Sequence, residues 1–279
     1  MWQLTRIELF KIFKKPRTYI AFAAIAFIIA LVQLALYVDG EVYLDFVMQS
    51  INESFIVEGK KLNGYFVCFT LLNTLLVHVP LLIALVAGDM IAGEANMGTL
   101  RLLIAKPVSR ASLLLGKFIA TSVYTIALLL FMAILSLFVS MLLFGVSDLM
   151  VFKSEMLIIL DKSDVLWRYL CAFGFAAVSM ITVASMAFLL SIFAENSIGP
   201  IVATMSIVIV LTILTTMNIP IFNNLKPFLF TNHMLNWKGF FDHVVDYKEI
   251  MKSLMVLIAH IVVFIGAAIF IFNRKDILS

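Results

Sequence analysis

The chain consists of long apolar stretches separated by short polar segments. Six stretches are long enough to cross a membrane as helices, because about 20 residues span the ~30 Å hydrocarbon core. They cover approximately residues 18–38, 65–90, 113–144, 166–193, 198–217 and 251–272. Short alternating segments of the kind that build membrane barrels are absent, and helices satisfy their backbone groups internally. The pattern predicts an all-α polytopic membrane protein with a single transmembrane domain over residues 1–279.

Composition and charge refine this prediction. The chain is 63% hydrophobic and only 13% charged, which excludes an ordinary soluble domain. The N-terminal arm, the segment between the second and third stretches, the 194–197 turn and the tail carry more Lys and Arg than Asp and Glu. The other three loops carry more acidic residues, and basic loops face the cytoplasm. We therefore expect both termini to be cytoplasmic.

Residues 1–17 form a candidate amphipathic helix. Its apolar side chains share a broad face, and three lysines lie opposite; the apolar residues are Trp2, Leu9, Phe10, Ile12 and Phe13. Arg6 lies on the apolar side, and its charged end would have to reach the headgroups. An interfacial helix in the headgroup layer explains this mixture. The alternative is a basic arm that only sets topology. The first apolar run is too long for a cleavable signal, so we expect a retained first span.

The second stretch is longer than a bilayer requires. If helix continues from Tyr65 to Met97, it spans about 50 Å and its end projects into the cytoplasm. Pro80 is expected to kink it. The 33-residue connection 218–250 is also unusual, because it is apolar, aromatic and interrupted by Pro220 and Pro227. Such a segment predicts short re-entrant or interfacial helices. The acidic loops 39–64 and 145–165 are compatible with helix.

A polar, Gly-punctuated segment, residues 88–110, joins the second and third stretches. The predicted cytoplasmic coupling elbow covers residues 91–112, and we call it the elbow. Gly98 suits the position that ends a helix, and Thr99 or Ser109 could cap the next helix. Pro107 prevents a continuous helix into the third span. The elbow is therefore expected to contain a short helix over Leu100–Ala105, held across the membrane surface.

The elbow also resembles a known family. Its ordered positions are Glu94, then Gly98-Thr99-Leu100-Arg101-Leu102-Leu103, Lys106-Pro107-Val108-Ser109-Arg110 and Leu113-Leu114-Leu115-Gly116-Lys117. These residues closely resemble the signature of permease subunits of type-2 ABC exporters. Members have six spans, an amphipathic N-terminal helix, a cytoplasmic coupling helix between spans two and three, and extracellular re-entrant helices between spans five and six. Each feature has a counterpart here.

The resemblance implies a permease of the bacterial cytoplasmic (inner) membrane that dimerises, most simply with a second copy of itself. The implied ATPase-coupling residues are Glu94, Gly98, Thr99, Arg101, Pro107 and Arg110. A charged short helix there could make charge-assisted contacts to a cytoplasmic ABC ATPase subunit. The alternative is that these cations only sit at lipid headgroups, which we prefer for Lys106 and Lys117.

Polar residues within the spans are few. Gln33 and Asn73 suit hydrogen bonds between helices, and a lone His78 or His260 is more often a packing residue than a proton carrier. In resembling exporters spans two and five line the dimer cavity. The implied substrate-cavity candidates are Asn73, His78, Thr204, Thr212 and Thr216. A hydrophobic or amphipathic substrate suits such a cavity.

The energy source is expected in another chain. Neither Gly59-Lys60 nor Gly116-Lys117 lies in the G-x-x-x-x-G-K-[ST] context that cradles phosphates. ATP and Mg would therefore bind a separate subunit, and this chain is expected to hold no cofactor, no metal and no catalytic residue. Cys68 and Cys171 fall within predicted spans, and they are not expected to form a disulfide framework or a zinc site. No nucleic-acid partner is expected.

Two other functions compete with export. The same ATP-coupled fold could act on an extracytoplasmic protein partner without moving a solute, with 218–250 as the docking surface. An intramembrane enzyme would need paired carboxylates, a metal motif or a Ser–His pair at depth. No Asp or Glu lies centrally in any span, although Ser179 or Ser185 near His78 is left open by the sequence.

Overall fold

The computed structural model describes residues 2–52, 61–75, 78–100, 108–153, 156–217 and 220–275. These residues are mostly helical. The helices are α1 (Trp2–Lys14), α2 (Pro16–Asn52), α3 (Gly64–Leu75), α4 (His78–Ala87), α5 (Asp89–Asn96), α6 (Arg110–Ala133), α7 (Ser140–Phe144), α8 (Lys162–Ser191), α9 (Ile198–Thr216), α10 (Pro220–Asn223), α11 (Phe230–Met234) and α12 (Tyr247–Arg274). The strands are β1 (Leu149–Lys153) and β2 (Met156–Leu160).

Within the described residues, five helical segments are long and apolar enough to cross a membrane. They are Pro16–Phe46, Arg110–Phe144, Lys162–Ser191, Ile198–Thr216 and Tyr247–Arg274. The pair α3 and α4 passes the same criterion together, which makes six if the pair is one span. Each unpaired backbone group in lipid costs several kcal/mol, and a helix avoids this cost by pairing its backbone groups internally. These segments therefore define a multi-pass helical membrane protein.

The second stretch does not form one straight helix. The axes of α3 and α4 differ by 54°, and Pro80 lies in the first turn of α4, where its missing N–H breaks no helical hydrogen bond. A second break at Gly88 separates α4 from α5. A Cβ on Gly88 would meet Pro200 and Ile201 of α9 at 3.3 and 3.2 Å, so glycine permits this close approach. The expected projecting rod is therefore wrong: α5 is short, and most of its residues are buried.

The third span contains an irregular turn. A π-helical segment, Ile134–Val139, interrupts it between α6 and α7. The Gln33 side-chain amide of α2 donates to the Leu135 carbonyl at 3.0 Å and to the Ser140 hydroxyl at 2.9 Å. The π-helical turn leaves a carbonyl that a neighbouring side chain can satisfy. The predicted interhelical role of Gln33 is thus confirmed.

The loop 145–165 differs from expectation. It forms an antiparallel hairpin in which Leu149 pairs with Leu160 and Lys153 with Met156. Leu149 and Val151 are buried, so the hairpin packs onto the helices. The helical interpretation of this loop is wrong. The 39–64 loop is helical as far as Asn52, with one non-helical residue at Asp39.

The long helix α8 lies at the centre of the bundle, and two faces of the protein lie at its two ends. It packs against α4, α6, α9 and α12, and its 30 residues correspond to about 45 Å. At its end, the Ile192 carbonyl accepts from Lys275. At its start, Arg168 donates to the Phe240 and Asp242 carbonyls at 2.9 and 2.6 Å.

We call these two faces the terminal face and the opposite face. The terminal face holds α1, α5, the start of α6 and the end of α12. The opposite face holds the hairpin and the segment 220–241. That segment forms α10, α11 and two 3-10 turns, Lys226–Phe228 and Leu235–Phe241, as expected for a broken chain of short helices.

Candidate functional site

A network of charged side chains lies on the terminal face, at the start of the elbow. Its members come from four parts of the chain that are distant in sequence. They are Glu8, Lys11, Lys15, Arg17, Asp89, Glu94, Lys117 and Ser197. We call this set the terminal-face network.

Lys117 is the centre of one half of the network. Its ammonium lies 2.7 Å from Glu8 Oε2 and 2.7 Å from Glu94 Oε1, and its side chain is only 2% exposed. Lys11 adds a second cation, at 2.8 Å from Glu8 and 3.1 Å from Glu94. A buried charge is tolerated only with such partners. These contacts join α1, α5 and α6.

Asp89 is the centre of the other half. Its carboxylate lies 2.7 Å from Lys15 and 2.6 Å from Arg17, and it accepts a hydrogen bond from the Ser197 hydroxyl. A Cβ on Gly93 would lie 2.3 Å from Asp89 Oδ1. Glycine at this i+4 position therefore leaves room for the carboxylate. Asp89 connects the α1–α2 junction, α5 and the turn before α9.

The local sequence of α1 brings Glu8 to the interior. Thr5, Glu8 and Ile12 follow the helical repeat and are the buried residues of the helix. Gly116 of α6 permits close packing, because a Cβ there would meet Leu4 Cβ at 3.2 Å. The buried stripe therefore differs from the apolar face predicted for α1, since Trp2 and Phe10 are largely exposed.

The pKa values of the two α1 residues reflect this pairing. Burial raises the pKa of Glu8, but the charge of Lys117 and the hydrogen bonds from Lys11 and Lys117 outweigh it, and the net pKa is lowered. Burial lowers the pKa of Lys11, but the hydrogen bond to Glu8 and the charges of Glu94 and Glu8 raise it overall. Both residues are therefore held in their charged forms at neutral pH.

The expectations for Glu94 and Lys117 need correction. Lys117 does not sit at lipid headgroups, because its ammonium is enclosed by two carboxylates. The Glu94 side chain is 8% exposed, and its Oε2 atom is buried without a hydrogen-bond partner in the described part of the chain. Glu94 thus points into the protein and is poorly placed for direct contact with another subunit.

The first part of the elbow follows the predicted geometry. Gly98 has φ +67°, and its N–H donates to the Ala95 carbonyl while that of Thr99 donates to the Glu94 carbonyl, both at 3.0 Å. These two bonds form a Schellman motif, which confirms Gly98 as the residue that ends the helix. Ser109 caps α6 by accepting from the Ser112 N–H. Arg101, Lys106 and Pro107, with most of the expected short helix, lie outside the described residues.

Arg110 is bound within the protein. Its guanidinium donates to the carbonyls of Phe272, Asn273 and Lys275 at 3.2, 3.3 and 2.9 Å. A cation at the C-terminus of α12 also interacts favourably with the helix dipole. Arg110 therefore joins the end of the elbow to the last helix rather than projecting from the surface.

The structure places the five substrate-cavity candidates in different environments. Thr212 and Thr216 line an open, mostly apolar groove of about 360 Å³ together with Pro80 and Thr231. Thr204 is fully buried and donates to the Pro200 carbonyl. Asn73 and His78 bond to carbonyls of their own helical stretch and are not among the groove residues. The structure brings only two of the five candidates together in this groove.

Sequence reasoning missed the central role of Glu8 and Asp89. Two signals could have indicated it. Glu8 is the single acidic residue in the basic segment 1–17, and it shares a helical face with Thr5 and Ile12. Asp89 and Gly93 are spaced i, i+4 and so are neighbours on one helix face, where the glycine leaves space beside the carboxylate.

The fold and this network define a multi-pass helical membrane protein whose terminal face is held together by buried ion pairs. In the described residues no group of three His, Cys, Asp or Glu side chains could hold a metal ion.

The chain belongs to the family described as "Protein of unknown function (DUF2705)", whose model matches residues 24–278. A relative is the "Uncharacterized protein YhcI" of Bacillus subtilis (strain 168), which is 26% identical over 199 residues. The match covers 69% of this chain and 63% of that relative, so it extends over less than two thirds of the relative's length.

Proposed function

We propose that this protein is the permease subunit of an ATP-driven type-2 ABC exporter. In this proposal the bent pair α3–α4 counts as one of six spans, the terminal face is cytoplasmic, and the membrane is the bacterial inner membrane. ATP and Mg bind a separate ATPase subunit, and two permease copies form the transporter. The support is the ordered motif of residues 94–117 and the position of the elbow beside the terminal-face network.

The observation that carries the proposal is the way the network connects the start of the elbow to other helices. Glu94 is paired with Lys117 of α6 and Lys11 of α1. Five residues earlier, Asp89 is paired with Arg17 at the start of α2 and accepts from Ser197 before α9. A displacement of α5 would therefore move the starts of three membrane helices together.

Such a connection suits energy transfer. A partner that pushes on residues 101–107 would act through the Gly98 turn on α5, and the ion pairs would prevent that motion from being absorbed locally. A shift of a two-state equilibrium from about 1:99 to 99:1 requires roughly 5.5 kcal/mol of differential binding. The groove between α4 and α9, both in contact with α5, would change shape with this motion.

The groove supports a hydrophobic or amphipathic substrate. Its lining is apolar apart from a few threonine hydroxyls, among them Thr212 and Thr216. Pro80 lies in the same groove, close to the bend in the second span. A change in this bend would open or close the groove.

The test is co-purification from native membranes. The tagged full-length protein should retain an ATPase with a Walker A motif. Arg101→Glu should reduce the retained ATPase at least tenfold, because a charge-assisted contact would become repulsive. Lys248→Glu is the matched control, since it reverses an exposed cation on the opposite face. Absence of any ATPase from the wild-type sample, under conditions that preserve the dimer, would contradict the proposal.

The same experiment addresses the second candidate, action on an extracytoplasmic protein partner. It is favoured by exposed apolar side chains on the opposite face, namely Ile221, Leu225 and Phe228. If this candidate is correct, a third protein should co-purify with the ATPase, and Ile221→Asn/Phe228→Asn should release it without loss of the ATPase.

A further inference from the structure

The helix α1 has a second face that the protein does not cover. Its buried stripe, centred on Glu8, packs against α6. Five exposed residues on the side away from this stripe form what we call the outer face, namely Trp2, Arg6, Ile7, Phe10 and Lys14. Trp2, Ile7 and Phe10 are 75%, 53% and 67% exposed.

The outer face is positively charged and has no acidic residue. The only carboxylate of α1, that of Glu8, is buried against Lys117. Arg6 and Lys14 are exposed and form no ion pair with any residue that the structure describes. The Lys14 ammonium lies 5.7 Å from the centre of the Phe10 ring. Neighbouring Lys15 and Arg17 are paired with Asp89 but remain 33% and 44% exposed.

The outer face of α1 lies at the level expected for the bilayer surface. Only Lys15 separates α1 from α2, whose segment from Pro16 is a candidate membrane span. The outer face therefore lies where a membrane helix leaves the hydrocarbon. Apolar side chains that alternate with cations can insert rings while the charged groups reach the headgroups.

From this arrangement we propose that the outer face of α1 binds anionic phospholipid in preference to zwitterionic lipid. The exposed rings enter the acyl boundary, and Arg6 and Lys14 contact the phosphate-bearing headgroups. A basic residue near an anionic surface contributes about 1 kcal/mol, so two such residues correspond to roughly a thirtyfold preference. This inference is independent of the proposed ATPase, because it concerns only the lipid around α1.

The test uses the full-length protein in phosphatidylcholine vesicles that contain equal fractions of either brominated phosphatidylglycerol or brominated phosphatidylcholine. Bromine quenches nearby tryptophan, and Trp2→Phe supplies the background from Trp167 and Trp237. The Trp2 signal should show roughly thirtyfold preferential association with phosphatidylglycerol at low salt. The preference should weaken at high salt, because exposed charges are screened.

Charge variants then assign the effect to this face. Arg6→Gln/Lys14→Gln should lower the preference about thirtyfold, whereas Arg6→Lys/Lys14→Arg should retain it and so exclude misfolding as the cause. Lys162→Gln/Lys248→Gln removes the same net charge from exposed positions at the opposite face and should leave the preference unchanged.

Three results would overturn the proposal. The first is equal quenching of Trp2 by both lipids. The second is an equal loss of preference in the opposite-face control. The third is an unchanged lipid preference in Arg6→Gln/Lys14→Gln together with loss of a co-purified protein, which would make the outer face a protein-docking surface.

Discussion

At the scale of single residues, Lys117 is the buried cation that joins the acidic residues of α1 and α5. It is 2% exposed and is paired with two carboxylates from different elements. The desolvation cost of a buried ion pair can exceed its Coulombic gain, but removal of one partner leaves uncompensated buried charge. The network is therefore better understood as a specific connection than as a source of net stability.

Replacement of Lys117 by methionine should accordingly destabilise the protein. Lys117→Met should lower the free energy of unfolding by about 3–5 kcal/mol, because Glu8 and Glu94 lose their central cation. Denaturant titration in mild detergent measures the change. Lys14→Met is the matched control, since Lys14 is exposed on the same terminal face. The triple variant Glu8→Gln/Glu94→Gln/Lys117→Met should recover much of the loss, and a single variant as stable as wild type would refute the assignment.

The residues of the network also show which features can be predicted from the sequence and which cannot. The role of Gly98 was predictable because the residue that ends a helix often adopts the left-handed conformation, which glycine favours locally. The partners of Glu94 were not, since Lys117 and Lys11 lie 23 and 83 positions away and the sequence contains no signal for that pairing. An acidic residue beside a basic motif is equally compatible with an exposed contact and with a buried ion pair.

At the scale of elements, the lengths of the apolar stretches in the sequence predict the membrane helices well but predict the breaks and irregular turns within them poorly. Long apolar stretches correspond to helices because the bilayer imposes that solution. The hairpin was missed because β1 and β2 are short, nearly continuous apolar runs, which do not distinguish strand from buried helix. The stripe of α1 that packs on α6 was missed because it contains Thr5 and Glu8, which an apolar pattern does not mark.

The docking of α1 should depend on pH through Glu8. Its pKa is lowered in the folded protein, so the stabilisation is fully present above the ordinary value of about 4.5 and is lost as pH falls through the folded pKa. The thermal midpoint in detergent should therefore decrease below about pH 4.5. We call this decrease of the thermal midpoint at low pH the acid limb. Glu8→Gln should make the acid limb shallower.

A control variant makes this prediction specific. Glu249→Gln alters an exposed carboxylate of α12 on the opposite face and should leave the acid limb unchanged. An acid limb that is identical in wild type and Glu8→Gln would show that α1 is not held by this ion pair.

At the scale of the whole molecule, contacts at the two ends of α8 define the arrangement of the chain. Lys275 and the turn at Ile192 meet at one end, and Arg168 holds the segment before α12 at the other. The network and the bonds from Arg110 place both α1 and the end of α12 on the terminal face. The basic bias of that face predicts that it is cytoplasmic.

Cysteine labelling tests this orientation directly. In a Cys68→Ala/Cys171→Ala background, Met97→Cys places a thiol at a 59% exposed position on the terminal face, and Val244→Cys places one at a 79% exposed position near the opposite face. A membrane-impermeant maleimide should label the second variant in intact cells and the first only after permeabilisation. Because Met97 lies within the elbow, labelling of that position from outside would place the elbow beyond the reach of any cytoplasmic ATPase. That single result would remove the physical basis of ATP coupling while leaving the fold and the lipid-binding face of α1 untouched.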